Sequence, residues 1–138
     1  MRFTEIKKSA KTKTGQIIDH GVKLEPHERK TVQYLANFGL NIELIAPSSI
    51  PRSNNPDLEM FGTAWEMKGP TSSKENTIKK RFRKAIRQAN GHAIFDLRNI
   101  TQSPSKAETI ILNLFTSTRG MRRIIIIKKE GTIIDITK

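Results

Sequence analysis

Cysteine is absent from the 138-residue sequence, which excludes disulfides, cysteine-ligated zinc and thiol nucleophiles. Long apolar runs are missing as well. No stretch reaches the roughly 18 apolar residues of a membrane-spanning helix, and the opening MRFTEIKKSAKTKTG lacks the apolar centre of a signal peptide. These absences predict no stable membrane association. They fit a chain that works in the cytoplasm, or the tail of a larger protein that carries the targeting elsewhere. Acidic residues are scarce: 13 Asp and Glu stand against 25 Lys and Arg, leaving a net charge of +12. Such a surplus attracts polyanions, nucleic acid ahead of an anionic membrane surface or an acidic protein. With 36% hydrophobic and 28% charged residues, the chain suits one domain with a modest core.

Residues 1–24 are basic and weakly periodic and read as an arm or linker, with room for a short strand in GQIIDHGVKL. A helix begins at EPHERKTVQYLANFG: Pro26 suits the first helical position and Gly39 the stop. Val32, Leu35 and Ala36 form its apolar stripe, and Glu28, four residues before Val32, lies in line with that stripe. LNIELIA alternates as a strand, and PSSIPRSNNP reads as a loop. DLEMF and AWEMK flank Gly62-Thr63 as a hairpin. TIKKRFRKAIRQAN is an amphipathic helix capped by Asn76 or Thr77, with Ile78, Phe82, Ala85, Ile86 and Ala89 on one side and Lys79, Lys80, Arg83 and Arg87 on the other. HAIFDLR has the short apolar run of a buried strand. A helix capped by Ser103, with Pro104 in its first turn, and a hairpin turning near Glu130-Gly131 complete the chain. The order α-β-β-β-α-β-α-β-β predicts an α/β or α+β domain with a mixed sheet.

The chemistry concentrates in NNPDLEMFGTAWEMKGP, where a basic chain collects carboxylates. In a strand, Glu66 and Lys68 share a face. A two-residue turn at Gly62-Thr63 would pair Glu59 with Glu66 and Asp57 with Lys68, leaving Asp57 and Glu66 diagonal neighbours about 7 Å apart or less. Close carboxylates repel unless a cation sits between them, and magnesium takes one or two carboxylates with phosphate and water. A nearby lysine then holds the attacking water and offsets charge on the phosphorus. An acidic spot in a basic surface fits metal-dependent phosphodiester hydrolysis. Glu59 could replace Asp57 as a ligand in this register, whereas a bulge or longer turn would send it to solvent.

PD, eight residues, then EMK resembles the PD-(D/E)xK nuclease signature, and the order α-β-β-β-α-β from about residue 26 to 98 resembles that superfamily's core. HERKTVQYLANFGLNIELI, PDLEMFGTAWEMKGP and RKAIRQANGHAIFDLR are similar to the C-terminal tRNase toxin domains of contact-dependent growth inhibition (CdiA) proteins. The resemblance implies a nuclease domain over residues 25–138 that hydrolyses RNA, with tRNA as the expected substrate. It implies Asp57 and Glu66 as metal ligands, Glu28 completing the site or binding a second ion, and Lys68 positioning the water. The cofactor would be a divalent ion, Mg2+ first, with Mn2+ or Zn2+ as alternatives. Nucleic-acid contacts would come from Lys79, Lys80, Arg81, Arg83, Lys84 and Arg87, with Gln88 as a further polar group turned towards the site. Such a toxin implies delivery as part of a larger secreted or surface protein, action in the target-cell cytoplasm, and an acidic cognate immunity protein.

Two other functions compete: a DNA endonuclease of resolvase or restriction type, and a non-catalytic basic nucleic-acid-binding module. His20, His27 and His92 share no motif that would support a histidine-based ribonuclease. Asp96, inside IFDL, reads as a structural hydrogen-bonding acid. TRGMRRIIIIKK forms a second basic patch, equally readable as charges guarding a hydrophobic strand.

Overall fold

The computed structural model describes residues 1–46 and 55–138. Most of the expected PSSIPRSNNP loop lies outside the described residues. Strands β1 (Arg2–Ile6) and β2 (Ile17–Ile18) precede helix α1 (Pro26–Asn37), followed by β3 (Ile42–Leu44), β4 (Leu58–Met60) and β5 (Thr63–Lys68). Helix α2 (Glu75–Ala89), β6 (His92–Asp96), α3 (Pro104–Ser117), β7 (Arg123–Ile127) and β8 (Ile133–Thr137) complete the fold. The strands form one mixed sheet in the order β1-β8-β7-β6-β5-β4-β3-β2, with β5, β6 and β7 parallel at its centre. The expected α/β class, and the order from α1 to β8, are those observed.

Two cores sandwich the sheet. Val32 and Leu35 of α1 pack with Trp65, Met67, Ile94 and Ile125 on one face. Ile78, Phe82 and Ala85 of α2, with Ile111 and Phe115 of α3, pack with Ala93, Phe95, Ile124 and Ile126 on the other. Alternate residues of β6 and β7 thus serve opposite faces, which is why these central strands read as unbroken apolar runs. The α2 face expected to be apolar is buried at Ile78, Phe82, Ala85 and Ala89. Pro26 opens α1, where Glu25 and Glu28 form a capping box. The Ser103 hydroxyl accepts from the Lys106 N–H at 3.4 Å and caps α3.

Three local expectations are corrected. The segment read as an arm supplies both sheet edges: β1, a strand that reading lacks, pairs along all five positions with β8, while β2, within the GQIIDHGVKL stretch where a short strand is expected, pairs in parallel with β3. Four of the five β1 residues are exposed, so this edge strand carries no apolar alternation to read. Helix α2 starts at Glu75, with Lys74 at the N-cap and no side-chain cap, rather than behind Asn76 or Thr77. The β4–β5 turn is Phe61-Gly62, not Gly62-Thr63. Both residues have positive φ, +56° and +74°, the type I′ pattern whose twist matches that of the flanking strands. The register becomes Leu58 opposite Trp65, Glu59 opposite Ala64 and Met60 opposite Thr63.

Candidate active site

The corrected register determines which acids meet. With Leu58 opposite Trp65, Asp57 falls beside Glu66, and Glu59 moves one step out to face Ala64, exposed to solvent. Asp57 is fastened on both sides: its N–H donates to the Trp65 carbonyl at 3.0 Å, and its carbonyl accepts from the Ile45 N–H at 3.2 Å. Its Oδ2 accepts from the Met67 N–H at 2.7 Å. That bond bends the carboxylate across β5 into a cavity of about 210 Å³ lined also by His27, Glu28, Thr31, Lys68, Arg81 and Lys84.

Glu66 is fully buried on the sheet face covered by α2. A buried carboxylate persists only where it is paired and hydrogen-bonded. Arg81 Nη1 donates to Glu66 Oε2 at 3.2 Å, and Lys84 Nζ lies 3.6 Å from the same oxygen. The Gln88 amide, oriented with its nitrogen toward these acceptors, donates to Glu66 Oε1 at 2.8 Å and to the Asn55 carbonyl at 3.3 Å. Positions 81, 84 and 88 recur at helical spacing, so one stripe of α2 lies over Glu66. The seven α2 residues expected to bind nucleic acid therefore divide. Arg81, Lys84 and Gln88 turn inward, whereas Lys79, Lys80, Arg83 and Arg87 remain exposed, Lys79 with an ion pair to Glu75 at 3.2 Å.

Lys68 lines the cavity and forms no ion pair among the described residues. Glu28 lines it too, but its Oε1 accepts from the Glu25 N–H at 3.0 Å in the capping box. The expected triplet Glu28, Asp57 and Glu66 thus forms no ready-made ligand cluster; among the described residues no group of three or more His, Cys, Asp or Glu is placed to hold a metal ion. Asp96 has the structural role read from IFDL. It accepts from Thr31 Oγ1 at 2.6 Å and from Arg98 Nε and Nη2 at 3.0 and 2.8 Å.

Burial raises the Asp57 pKa above its ordinary value, and repulsion from Glu28 adds to it, against the Met67 N–H, Lys84 and Arg81. Burial also raises that of Glu66, followed by repulsion from Asp57, with Lys84 and Arg81 opposing. Both acids therefore resist ionising, Glu66 in part because of Asp57, and a cation beside them would favour both carboxylates. The donor set is all oxygen and short of ligands. That suits an ion such as Mg2+, which keeps several waters, better than a closed zinc site. One inward residue is missing from the site reading of the sequence, Thr31, whose link to Asp96 is visible only once α1 and β6 are packed together; Lys84, expected on the nucleic-acid-binding face, turns inward to Glu66 instead. The 81-84-88 spacing was the available signal for Lys84.

The family model for the contact-dependent growth inhibition CdiA C-terminal domain matches residues 54–133, more than half of the chain and including Asp57, Glu66, Lys68 and Lys84. The chain belongs to this family. At that level it meets the expectation of a contact-dependent growth inhibition toxin domain. Its fold is similar to a solved chain of the CdiA-CT/CdiI toxin and immunity complex from Burkholderia pseudomallei, with a TM-score of 0.67 and 20% sequence identity over 90% of this chain and 100% of that one. At that identity the likeness concerns the fold. No curated protein matches the sequence significantly. None of the described helices is long and apolar enough to cross a membrane.

Proposed function

We propose that this CdiA C-terminal domain is a metal-dependent endoribonuclease that hydrolyses phosphodiester bonds of tRNA. The observation that carries the reading is the meeting of Asp57 and Glu66 beside a cavity ringed by Lys68, Arg81 and Lys84, in a chain of net charge +12. Asp57 and Glu66 are the groups that would hold a divalent ion, Mg2+ first. When bound, the ion lowers the pKa of a water and offsets charge on the scissile phosphate. Lys68, on the same strand face as Glu66, aims the water at phosphorus and stabilises the charge that grows there. Lys84 and Arg81, now paired with Glu66, can turn to phosphate oxygens when RNA arrives. The exposed Lys79, Lys80, Arg83 and Arg87 guide the backbone in.

The domain would be delivered by a larger protein and would act in the target-cell cytoplasm. The structural relative comes from a toxin and immunity complex, and a surface this basic calls for an acidic immunity partner that covers the cations.

The test incubates the purified domain with total tRNA and with plasmid DNA, in EDTA or with Mg2+, Mn2+ or Zn2+, beside Asp57→Ala and Lys68→Ala. The expected result is tRNA cleavage that needs metal and is lost in both variants. Cleavage in EDTA, or full activity in either variant, sinks the assignment. Cleavage of plasmid alone would replace RNA by DNA.

A further inference from the structure

A second cleft runs along α1 away from the catalytic cavity. It encloses about 260 Å³ and is lined by Lys30, Gln33, Tyr34, Asn37, Arg98 and Asn99. Its floor is a planar stack. The Arg98 guanidinium lies over the Tyr34 ring, 4.0 Å from the centroid, and Tyr34 is itself fixed by its hydroxyl, which donates to the Gly131 carbonyl at 2.7 Å. Arg98 is fixed along its edge by the two bonds to Asp96 and by a third from Nη2 to the Lys30 carbonyl at 3.2 Å. Lys129 Nζ secures the loop behind it, donating to the carbonyls of Arg98 and Ile100 at 2.8 and 3.0 Å. The platform is thus held before any ligand arrives, and the Arg98 side chain remains 26% exposed.

We propose that this cleft is a nucleobase subsite, in which an unpaired base of the substrate stacks on Arg98 and is read by Gln33, Asn37 and Asn99. Asp96 neutralises Arg98, so the floor offers a polarisable plane rather than the bare charge a phosphate would seek. Guanidinium planes are established stacking partners for splayed-out bases. The wall is amide: Gln33 Nε2 donates to Asn37 Oδ1 at 2.9 Å, and the remaining amide groups present the mixture of donors and acceptors that a base edge requires. The volume falls below the roughly 300–1,000 Å³ of sites for drug-sized ligands, as suits one base inserted from a chain. Lys30, an exposed residue of the same lining, offers a cation for the attached phosphate. Thr31 joins the two sites physically: it lines the catalytic cavity and donates to the Asp96 that holds Arg98. A base on Arg98 therefore fixes where the chain crosses the carboxylates, and a base inside a duplex cannot reach it. The subsite rests on the nucleic-acid reading of the catalytic cavity, with its partner narrowed to a substrate having an unpaired nucleotide near the cut.

The test uses the full chain carrying Asp57→Ala, so that RNA is bound without being cut. A short single-stranded RNA is compared with a series lacking the base at one position each, by fluorescence anisotropy, and with 2-aminopurine placed at the sensitive position. One position should lose about fivefold or more in affinity without its base, the lower range of base stacking on a protein platform, with 2-aminopurine emission quenched there. Adding Arg98→Lys or Asn37→Ala should flatten that difference. Should Arg98→Lys melt early, the pair Gln33→Ala and Asn37→Ala, neither of them buried, decides alone. Equal affinity across the series, or a base effect unchanged by these substitutions, overturns the subsite, as does failure to bind RNA. A base effect that persists beside an uncleaving parent domain would refute the nuclease reading and leave the subsite standing.

Discussion

Replacing Asp57 by Asn should stabilise the metal-free domain while abolishing its response to metal. The amide keeps an oxygen for the Met67 N–H, now accepted by Asp57 Oδ2 at 2.7 Å, so the strands should stay in register. What disappears is the charge. The Asp57 pKa is raised by burial and by Glu28 even with the Met67 bond, Lys84 and Arg81 all acting in the opposite direction. The folded protein therefore holds the proton more tightly than the unfolded chain does. Stability from this group is complete below the ordinary pKa of 3.8 and is lost as pH rises through the raised folded value. Above that value, the ionised carboxylate is a net cost.

Two charges on directly opposed strand positions, about 5 Å apart at an effective dielectric constant near 20, repel by at most about 3 kcal/mol. Lys84 and Arg81 offset part of this, and the variant loses the charge assistance of the Met67 bond, so the net gain is on the order of 1 kcal/mol. For a domain of this size that is about 4 °C in Tm. Mg2+ at 100 times its Kd should add about 2.7 kcal/mol to the parent, or roughly 10 °C, and little to the variant. Thermal melts at pH 7 should then show the order of stability inverting between EDTA and Mg2+. A variant that melts below the parent in EDTA, or a metal shift equal in both, would refute the reasoning.

Removing Asp96 (Asp96→Ala) leaves the half-buried Arg98 without its ion-pair partner and Thr31 with only the His27 carbonyl to donate to, and should cost about 3 kcal/mol in a urea melt. The Asp96 carboxyl is lowered, its burial outweighed by bonds from Arg98 and Thr31, so the parent should lose this stability only as pH falls through the depressed folded value, and the variant should show no such loss. Substituting Arg83 or Arg87 by Ala should weaken tRNA binding and reduce the slope of log affinity against log salt by about 0.7–0.9 for each phosphate that is no longer neutralised. Anisotropy titrations across a salt series would read it, and an unchanged slope would remove these residues from the binding surface. Deleting residues 1–24 should expose the β8 and β3 edges and produce association by size-exclusion chromatography; a stable monomer would show that the segment is dispensable for the fold.

The core elements were legible because each combined a period with a boundary signal. Pro26 and Gly39 bracket the Val32-Leu35-Ala36 stripe of α1, and β6 and β7 carry the apolar runs of strands buried on both faces. The edge strand β1 lacked such a signal, because a strand that exposes four of its five residues need not alternate. The hairpin of the candidate site escaped this reading for a different reason. Moving the pairing by one residue on each strand leaves the apolar pattern intact: Leu58, Met60, Trp65 and Met67 face the core in either register, so hydrophobic alternation cannot distinguish the two. Only the turn distinguishes them. Phe61 accepts a left-handed φ of +56°, unusual for an aromatic residue. Its ring packs edge-on to Trp65 of the same hairpin at 6.5 Å and under the guanidinium of Arg123 at 4.6 Å, a contact with β7, two places away from β5 in the sheet. Long-range packing thus favours a turn that local propensity disfavours. That turn exchanges Glu59 for Asp57 opposite Glu66, and so decides which acid the metal would meet.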